Sequence, residues 1–343
     1  MTLVRVAALN HFPEVLRALG GDPARALRQA GLRPAMLQEQ DQLIDASIVA
    51  RLLENAAVAT GCESFGLRMA QSRQLSNFGV ISLLLLHQPT LRDVLTTLIE
   101  HVHLLNESLL IHMEDVRGVV ILREDFVSGD FRRQSVELAI GVLFRMCQVL
   151  LKERWRPQCV CLSHAAPADQ SIHKQMFGCR VEFDAQFNGI VCRADDLDAP
   201  NPLADPVLVR YARTMVDTTL KGKKISTGQQ VRKAIYLMLP SGNAACTCIA
   251  QGLGRSVRTL QRELDSEGLS FTDLLQEVRH DLAQRYVANP NYSMGQISDM
   301  LGYGSQSAFT RWFTSRFGCA PQRWRDQHLS GTARKRGSAI TLF

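Results

Sequence analysis

The sequence predicts an α+β N-terminal domain followed by an all-α domain in which two helix-turn-helix units are joined by a linker helix. A length of 343 residues suits two domains, each with its own core. The last hundred residues repeat one pattern, in IAQGLGRSVRTLQREL at 249–264 and in ISDMLGYGSQSAFTRWF at 297–313. The first two hundred residues mix helical and strand patterns without a regular β-α-β repeat, which indicates an α+β domain.

Apolar periodicity sets the order of elements in the N-terminal part. Helices are predicted at 46–59, 63–71, 78–86, 90–105, 132–152, 168–177 and 205–220. Strands are predicted at 109–113, 119–122, 158–162, 181–183 and 190–192. A turn at Glu114–Gly118 joins the first two strands into a hairpin. Asn188-Gly189 is a dipeptide suited to positive backbone angles, so it is predicted to turn between the last two.

The domain boundaries follow from composition. Residues 221–228, KGKKISTG, are polar, basic and glycine-containing, so they are predicted to link a domain at 1–220 to one at 229–328. The tail at 329–343 is expected to be disordered. If the tail makes contacts, we expect them from its basic residues, Arg334, Lys335 and Arg336.

Each copy of the repeat has the spacing of a helix-turn-helix. Its shared residues are Ile249, Leu253, Gly254 and Ser256 in the first copy, and Ile297, Leu301, Gly302 and Ser305 in the second. The glycine permits a sharp turn, and the serine is predicted to cap the next helix. That helix should bury one apolar face, formed by Leu260 and Leu264 or by Phe309 and Phe313. Its opposite face offers Arg, Gln, Thr and Ser, which bond base edges and phosphates.

The segment between the two copies is predicted to be a single helix. Ser270 with Asp273 forms a start that resembles a capping box, Asn289-Pro290 ends the helix, and Ser293 with Gln296 starts the next one. A helix of about 17 residues spans roughly 25 Å. With its flanking units, it would separate two recognition helices by about one DNA turn, roughly 34 Å.

Charge and cysteine usage narrow the class of protein. Residues 221–343 hold 17 Lys/Arg and 8 Asp/Glu, a balance of +9, whereas residues 1–220 have a balance of −3. A basic C-terminal part favours a nucleic-acid partner. No run approaches the ~20 apolar residues of a membrane span, and the N-terminus lacks a signal-peptide pattern. The nine scattered cysteines favour reduced thiols. We therefore expect a cytoplasmic protein with no membrane partner.

The tandem units, their connecting helix and the ending LGYGSQSAFTRWFTSRFGCAPQRWR resemble the AraC/XylS-type transcriptional regulators. The matching positions are Leu301, Gly302, Tyr303, Ser307, Phe309, Arg311, Phe317, Gly318, Pro321 and Arg325. Ser298, Trp312 and Thr314 depart mildly from the family's usual residues. Residues 1–210 resemble the arabinose-binding-like N-terminal domain of a subgroup of these regulators, most closely over FGCRVEFDAQFNGIVCRADDLDAPNPLADP at 177–206.

The resemblance implies that the second helix of each unit enters the major groove of double-stranded promoter DNA. The DNA-binding residues it implies are Ser256, Arg258, Thr259, Gln261 and Arg262 in the first unit, and Ser305, Gln306, Ser307, Thr310 and Arg311 in the second. It also implies a homodimer formed through residues 1–220. RNA polymerase is a further expected partner. No cofactor, metal or catalytic residue is predicted.

Two groups of residues contain side chains that bind metals, but neither group has the spacing that favours a metal site. They are Cys159 and Cys161 with His164, and His101 with His103; Cys159 and Cys161 are predicted to share a strand face and pack as small apolar residues. Cys246 and Cys248 raise the idea of a redox sensor, which needs an exposed, electropositive setting. Packing in the core is the preferred interpretation of all these cysteines.

The preferred function is a sequence-specific DNA-binding regulator whose N-terminal domain senses a small organic effector, anionic or amphipathic and not a nucleotide. Two alternatives stay open: an N-terminal domain that only oligomerises, and an enzyme domain tethered to DNA. A pocket would be mostly apolar with a few polar anchors. The apolar candidates are Phe65, Leu83–Leu86, Leu109, Ile111, Phe144 and Met146. The candidate polar anchors for an effector are Arg68, His101, His103 and Arg145.

Overall fold

The structure of the protein is a computed structural model that describes residues 2–127, 133–219, 226–242 and 244–327. The chain divides into two compact units, Met1–Lys224 and Ile225–Phe343. The predicted tail, with Arg334, Lys335 and Arg336, lies outside the described residues, and so does most of the predicted linker at 221–228.

The N-terminal unit is an α+β domain, as predicted. Its helices are α1 Phe12–Ala18, α2 Pro23–Gln29, α3 Ala46–Thr60, α4 Phe65–Gln71, α5 Ile81–Leu86, α6 Leu91–His101, α7 Arg133–Leu151, α8 Ser171–Phe177, α9 Ala194–Leu197 and α10 Pro206–Thr219. Its strands are β1 Leu3–Arg5, β2 Leu43–Asp45, β3 Leu109–Val116, β4 Val119–Phe126, β5 Cys159–Cys161, β6 Arg180–Glu182 and β7 Asn188–Arg193. Short 3-10 turns at Val6–Leu9, Pro34–Gln38, Leu75–Phe78, Val102–Leu104 and Lys152–Arg154 complete it.

Local capping explains where several helices begin. Asp45 accepts a hydrogen bond from the Ser47 backbone N–H at the start of α3. Thr90 and Asp93 form a capping box at the start of α6. Asp205 accepts from two backbone N–H groups in the first turn of α10. These side chains bind amides that have no partner within the helix, so these helix starts are visible in the sequence.

Five strands form the main sheet in the order β3-β4-β7-β5-β6. The predicted hairpin is present, with β3 and β4 antiparallel from Leu109 opposite Phe126 to Val116 opposite Val119. Strand β5 pairs parallel with β6 and antiparallel with β7. The separate β1–β2 sheet was not predicted, because its strands are only three residues long.

The prediction that Asn188-Gly189 forms a turn with positive backbone angles is wrong. Both residues belong to β7, and β5 lies between β6 and β7. Asn188 is buried, and its Oδ1 accepts a hydrogen bond from the Ser163 backbone N–H. Gly189 is needed for space, because a Cβ there would lie 2.5 Å from the Leu122 carbonyl oxygen. The positive backbone angle in this region belongs to Asp184.

Helix α7 is the central core helix of this unit. Residues 133–154 are long and apolar enough to cross a membrane by length and composition, which corrects the expectation that no such stretch exists. Two thirds of that segment is buried inside the domain, and it carries buried Gln134 and Glu137. The core of a folded domain therefore accounts for its apolar character.

The C-terminal unit is helical, as predicted. Its helices are α11 Thr227–Met238, α12 Cys246–Gly252, α13 Val257–Ser266, α14 Phe271–Ala288, α15 Met294–Met300 and α16 Gln306–Phe317, and residues 321–327 are also helical. Ser226 caps α11 together with Gln229. The last residues of the stretch predicted as a linker therefore form the start of this helix.

Candidate nucleic-acid interface and ligand pocket

The first helix-turn-helix consists of α12 and α13. Gly254 takes φ = +67° in the turn, a value that favours glycine. Ser256 caps α13, because its Oγ accepts a hydrogen bond from the Thr259 backbone N–H at 3.1 Å. Leu260 and Leu264 are buried on the inner face of the helix. The turn, the cap and the helix phase predicted for this unit are confirmed.

The second unit, α15 and α16, has the same construction. Gly302 takes φ = +68°, and Ser305 caps α16 through the Ala308 backbone N–H. Phe309 and Phe313 have no exposed surface. Their rings lie 5.6 Å apart, and the Phe313 ring also stacks on Phe317 at 4.1 Å. This aromatic core fixes which side of α16 faces outward.

Polar side chains cover the outer faces of both second helices. Arg258, Gln261 and Arg262 are exposed on α13, and Gln306, Ser307 and Arg311 are exposed on the corresponding face of α16, where Arg311 stands at the position of Arg262. Within the described residues, none of these three arginines forms a hydrogen bond or an ion pair. Thr310 is half-buried. The outer faces therefore hold side chains that can make paired hydrogen bonds to guanine or adenine.

Three of the predicted DNA-binding residues already take part in capping. Ser256 bonds both the backbone N–H and the hydroxyl of Thr259, and Ser305 bonds the backbone N–H of Ala308. Their hydroxyl groups therefore have a structural role at the helix starts. Contacts to DNA by these three residues stay a prediction.

The connecting helix is built as the sequence predicts. Ser270 caps α14, Asn289 ends it, and Ser293 with Gln296 forms a capping box on α15. Helix α14 has 18 residues, which corresponds to about 27 Å. The spacing of the two recognition helices by one DNA turn stays a prediction.

Two arginines hold the second unit in place, a role that the sequence predicted for neither of them, although Arg325 is one of the positions that match the family. Arg279 on α14 donates hydrogen bonds to the carbonyl oxygens of Leu301 and Gly302, at 3.0 and 3.2 Å, and lies over the Tyr303 ring. Buried Arg325 donates to the carbonyl oxygens of Val287, at 2.7 Å, and Tyr292, at 2.8 Å. These arginines tie the turns together, and their partners are distant in sequence.

The N-terminal unit contains a mostly apolar pocket of about 160 Å³. Its walls come from the β3–β4 hairpin, α3, α7, the segment around Arg73 and the residues following α6. Of the expected apolar residues, Leu109 and Ile111 line it, whereas Phe65, Leu83–Leu86, Phe144 and Met146 do not. The expected polar anchors Arg68, His101, His103 and Arg145 do not line it either. His101, for example, bonds the Thr97 carbonyl oxygen within its own helix.

The charged groups that line the pocket are Arg5, Arg73 and Glu124. Arg5 forms an ion pair with Asp41. Glu124 is 2% exposed, and burial raises its pKa to about 8, with a smaller effect from the neighbouring Asp125. Burial also lowers the pKa of Arg73 to about 10. Glu124 lies on the same face of β4 as Val120 and Leu122, because side chains alternate along a strand. This alternation is the sequence signal that could have predicted a buried glutamate.

The Cys159 and Cys161 thiols lie on one face of β5, with their Sγ atoms 3.9 Å apart. Their acidic neighbour is Glu182, and the ligand atoms of the three residues lie within 4.8 Å of one another, which is close enough to hold a metal ion. His164 lies elsewhere, beside Glu137. Burial raises the pKa of Cys161 to about 12, which disfavours the thiolate that binds metals. The expectation of no metal stays a prediction.

The cysteines before the first helix-turn-helix lie in α12. Cys248 is exposed and Cys246 is half-buried. Burial raises the pKa of the Cys246 thiol, which opposes reactivity. All nine cysteines are among the described residues, and all are free thiols.

Two protein-family models match the chain. Residues 20–201, more than half of the chain, match the arabinose-binding domain of AraC transcription regulators, N-terminal. Residues 249–327 match a helix-turn-helix domain. The two matches fall in the two compact units, one in each.

Relatives and a solved structure resemble the chain over most of its length. The HTH-type transcriptional regulator VirS of Mycobacterium tuberculosis is 27% identical over 94% of this chain and 96% of its own. The ornithine utilization regulator of Pseudomonas aeruginosa is 22% identical over 94% of this chain and 96% of its own. The crystal structure of the transcriptional regulator CdpR from Pseudomonas aeruginosa is 18% identical, with a TM-score of 0.43, over 90% of this chain and 97% of that one.

Proposed function

The chain belongs to the AraC family of transcription regulators, and we propose that it reads promoter DNA with the exposed faces of α13 and α16. It is a DNA-binding transcriptional regulator with an N-terminal domain of the ligand-binding type. Members of this family are transcriptional regulators and not enzymes. We propose further that it acts in the cytoplasm, has no catalytic role and contacts RNA polymerase at its promoters.

One observation carries the assignment of the DNA-reading faces. Two helices of like construction each bury an apolar face and expose arginine and glutamine on the opposite face, with Arg262 and Arg311 at the same position after the capping serine. Exposed arginines without intramolecular partners lose little on binding, because they exchange only water for DNA. Arg258, Gln261 and Arg262 would read one part of the site, and Gln306, Ser307 and Arg311 the other.

We expect Arg262→Ala and Arg311→Ala each to weaken binding to the cognate promoter by about 1–3 kcal/mol, if each arginine reads a base edge. Affinity for random DNA should change much less. Fluorescence anisotropy of the full chain with cognate and scrambled duplexes, over a range of salt concentrations, measures both. Base-reading arginines leave the salt dependence nearly unchanged, because phosphate contacts dominate it.

Arg28→Ala is the matched control, because it removes an exposed arginine from α2 in the other unit. It should leave both affinities unchanged. If Arg262→Ala or Arg311→Ala weakened cognate and random binding equally, and lowered the salt slope by about one, that arginine would be a phosphate contact.

The surface of α10 supports a homodimer formed through the N-terminal unit. Val207, Tyr211 and Met215 recur every four residues and are 52%, 64% and 52% exposed, with Leu208 beside them. The other face of the helix packs Ala212 and Val216 against Leu84. An exposed apolar stripe of this kind marks an interaction surface, and pairing about a two-fold axis would bury it against its own copy.

Tyr211→Asp with Met215→Asp should convert the dimer into a monomer at micromolar concentration, because each change would bury a charge at the interface. Analytical ultracentrifugation of the full chain measures this result. Val58→Asp, at a residue that is 82% exposed on α3, is the control and should remain dimeric. A wild-type chain that sediments as a monomer, with and without DNA, would contradict the proposal.

The pocket also bears on the two alternatives for the N-terminal unit. A domain that only oligomerises needs no internal cavity, so the 160 Å³ pocket favours a sensor. Glu124 and Arg73 have perturbed pKa values, which an enzyme site would also show. The family assignment favours binding over catalysis. We therefore propose that this pocket holds the effector.

A further inference from the structure

Two buried ionisable groups line the pocket without a charged partner. Glu124 Oε2 and Arg73 Nε are both enclosed, and neither has a hydrogen-bond partner among the described residues. Neither side chain forms an ion pair with any described residue. Burying polar and charged groups without compensation costs several kcal/mol. Two such groups in one cavity therefore point to a ligand that pairs with them.

The two groups enter the cavity from different elements. Glu124 lies on β4, opposite Ile111 of β3 in the hairpin. Arg73 follows α4, and its two terminal nitrogens donate hydrogen bonds to the carbonyl oxygens of Ala7 and Ala8, which fixes the guanidinium. Its Nε–H is the donor that remains without a partner. The carboxyl and the guanidinium thus reach one mostly apolar pocket from separate elements of the fold.

The volume limits the size of the ligand. The cavity measures about 160 Å³. A cavity of roughly 150 Å³ in a protein core accommodates benzene. By comparison with benzene, a ligand of about six to ten non-hydrogen atoms would fit this pocket.

We propose that the pocket binds a compact zwitterion of the amino-acid type, with its ammonium group on Glu124 and its carboxylate on Arg73. This inference rests on the proposed function, because it names the class of the effector. A simple amine would leave Arg73 unpaired, and a simple carboxylate would leave Glu124 unpaired. A molecule with both groups pairs with both residues and adds no net charge to the cavity.

Binding should release a proton. The pKa of Glu124 is about 8 in the empty pocket, so the carboxyl is mostly protonated at pH 7. A ligand ammonium favours the carboxylate. The Glu124 proton therefore passes to the buffer as the ion pair forms, while the ligand keeps its own protons. The other charged or titratable groups near Glu124 are Asp125 and Cys147, besides Arg5 and Arg73 in the pocket lining.

The test is isothermal titration calorimetry of the full chain at pH 7, in two buffers of different ionisation enthalpy. The probes are 4-aminobutanoate, 5-aminopentanoate, 6-aminohexanoate and norleucine, with hexylamine and hexanoate as compounds that carry one charge. At least one zwitterion should bind tenfold or more tightly than both single-charge compounds. Its binding should release close to one proton, as expected for a carboxyl with a pKa near 8.

Two variants locate the site. Glu124→Gln should abolish the proton release and weaken the best zwitterion at least tenfold. Ala139→Leu, which fills the pocket from α7 and leaves both charged groups in place, should also prevent binding. Glu100→Gln, an exposed glutamate on α6, is the control and should bind as the wild type does.

The inference is overturned if no zwitterion in the set binds, if a single-charge compound binds equally well, or if Glu124→Gln retains the proton release. The same preparations are assayed for binding to cognate DNA. Intact DNA binding without zwitterion binding would remove this inference and leave the proposed function standing. A wild-type chain that fails to distinguish promoter from random DNA would remove the proposed function, whatever the calorimetry gives.

Discussion

Phe309→Asp abolishes the second helix-turn-helix and, with it, sequence-specific DNA binding. Phe309 has no exposed surface, and its ring packs against Phe313 and Tyr303. The substitution removes these contacts and buries a carboxylate in an aromatic core. Losing a buried phenylalanine costs about 3–5 kcal/mol, and the unpaired charge adds to that. This total is comparable with the whole stability of a small domain.

Hydrogen exchange read by mass spectrometry gives a direct measurement. In Phe309→Asp, protection should collapse over 294–317 and remain at wild-type levels in the N-terminal unit. Arg311→Asp is the matched control two residues away, at an exposed position. It should lose DNA binding and keep its protection, because only the outer face changes. A Phe309→Asp protein that stays protected and binds the promoter would show that the helix phase is wrong.

The second large effect is a loss of stability as the pH rises, caused by Glu124. Its pKa is about 8 in the folded chain and near 4.5 when exposed, so the folded state holds the proton more tightly. Stability from this group is complete below the unfolded pKa. It falls as the pH rises from about 4.5 to about 8. Between pH 5 and pH 8 the loss amounts to about 3 kcal/mol for the ligand-free protein.

Glu124→Gln removes this dependence, because the amide does not titrate. Guanidinium denaturation of the N-terminal unit, followed from pH 5 to pH 8.5, should give similar stabilities for wild type and variant at the acidic end. The variant should be more stable by about 3 kcal/mol at pH 8, as the linkage predicts. Glu100→Gln, at an exposed position, should follow the wild type throughout. Parallel pH profiles for wild type and Glu124→Gln would contradict the buried, unpaired state of this carboxyl.

These two residues also show what each level of structure contributes. Phe309 and its apolar partners could be assigned from the sequence, because residues close together along the chain specify a helix-turn-helix. Gly302 permits the turn, Ser305 caps the helix, and the spacing to Phe309 and Phe313 sets the buried face. Each signal acts within a few residues, so the sequence alone determined the C-terminal fold and the outward faces of α13 and α16.

The limits of sequence analysis appear where partners are distant along the chain. Asn188-Gly189 has the composition of a turn, yet both residues lie in a strand because β7 inserts between β4 and β5. Arg279 and Arg325 look like surface arginines in sequence, and they hold turns through carbonyl oxygens more than twenty residues away. Strand order and such contacts depend on which elements meet, which local propensity does not encode.

The pocket depended wholly on tertiary structure. Strand alternation places Glu124 on the same face of β4 as Val120 and Leu122, but Ile121 makes the opposite face apolar as well. Only the packing of α7 and α3 over the first face decided that Glu124 is enclosed, and only the path of the chain after α4 brought Arg73 to the same cavity. The sequence determined the DNA-binding half because its instructions are local. The ligand-binding half was decided by tertiary structure, because a cavity exists only where separate elements meet.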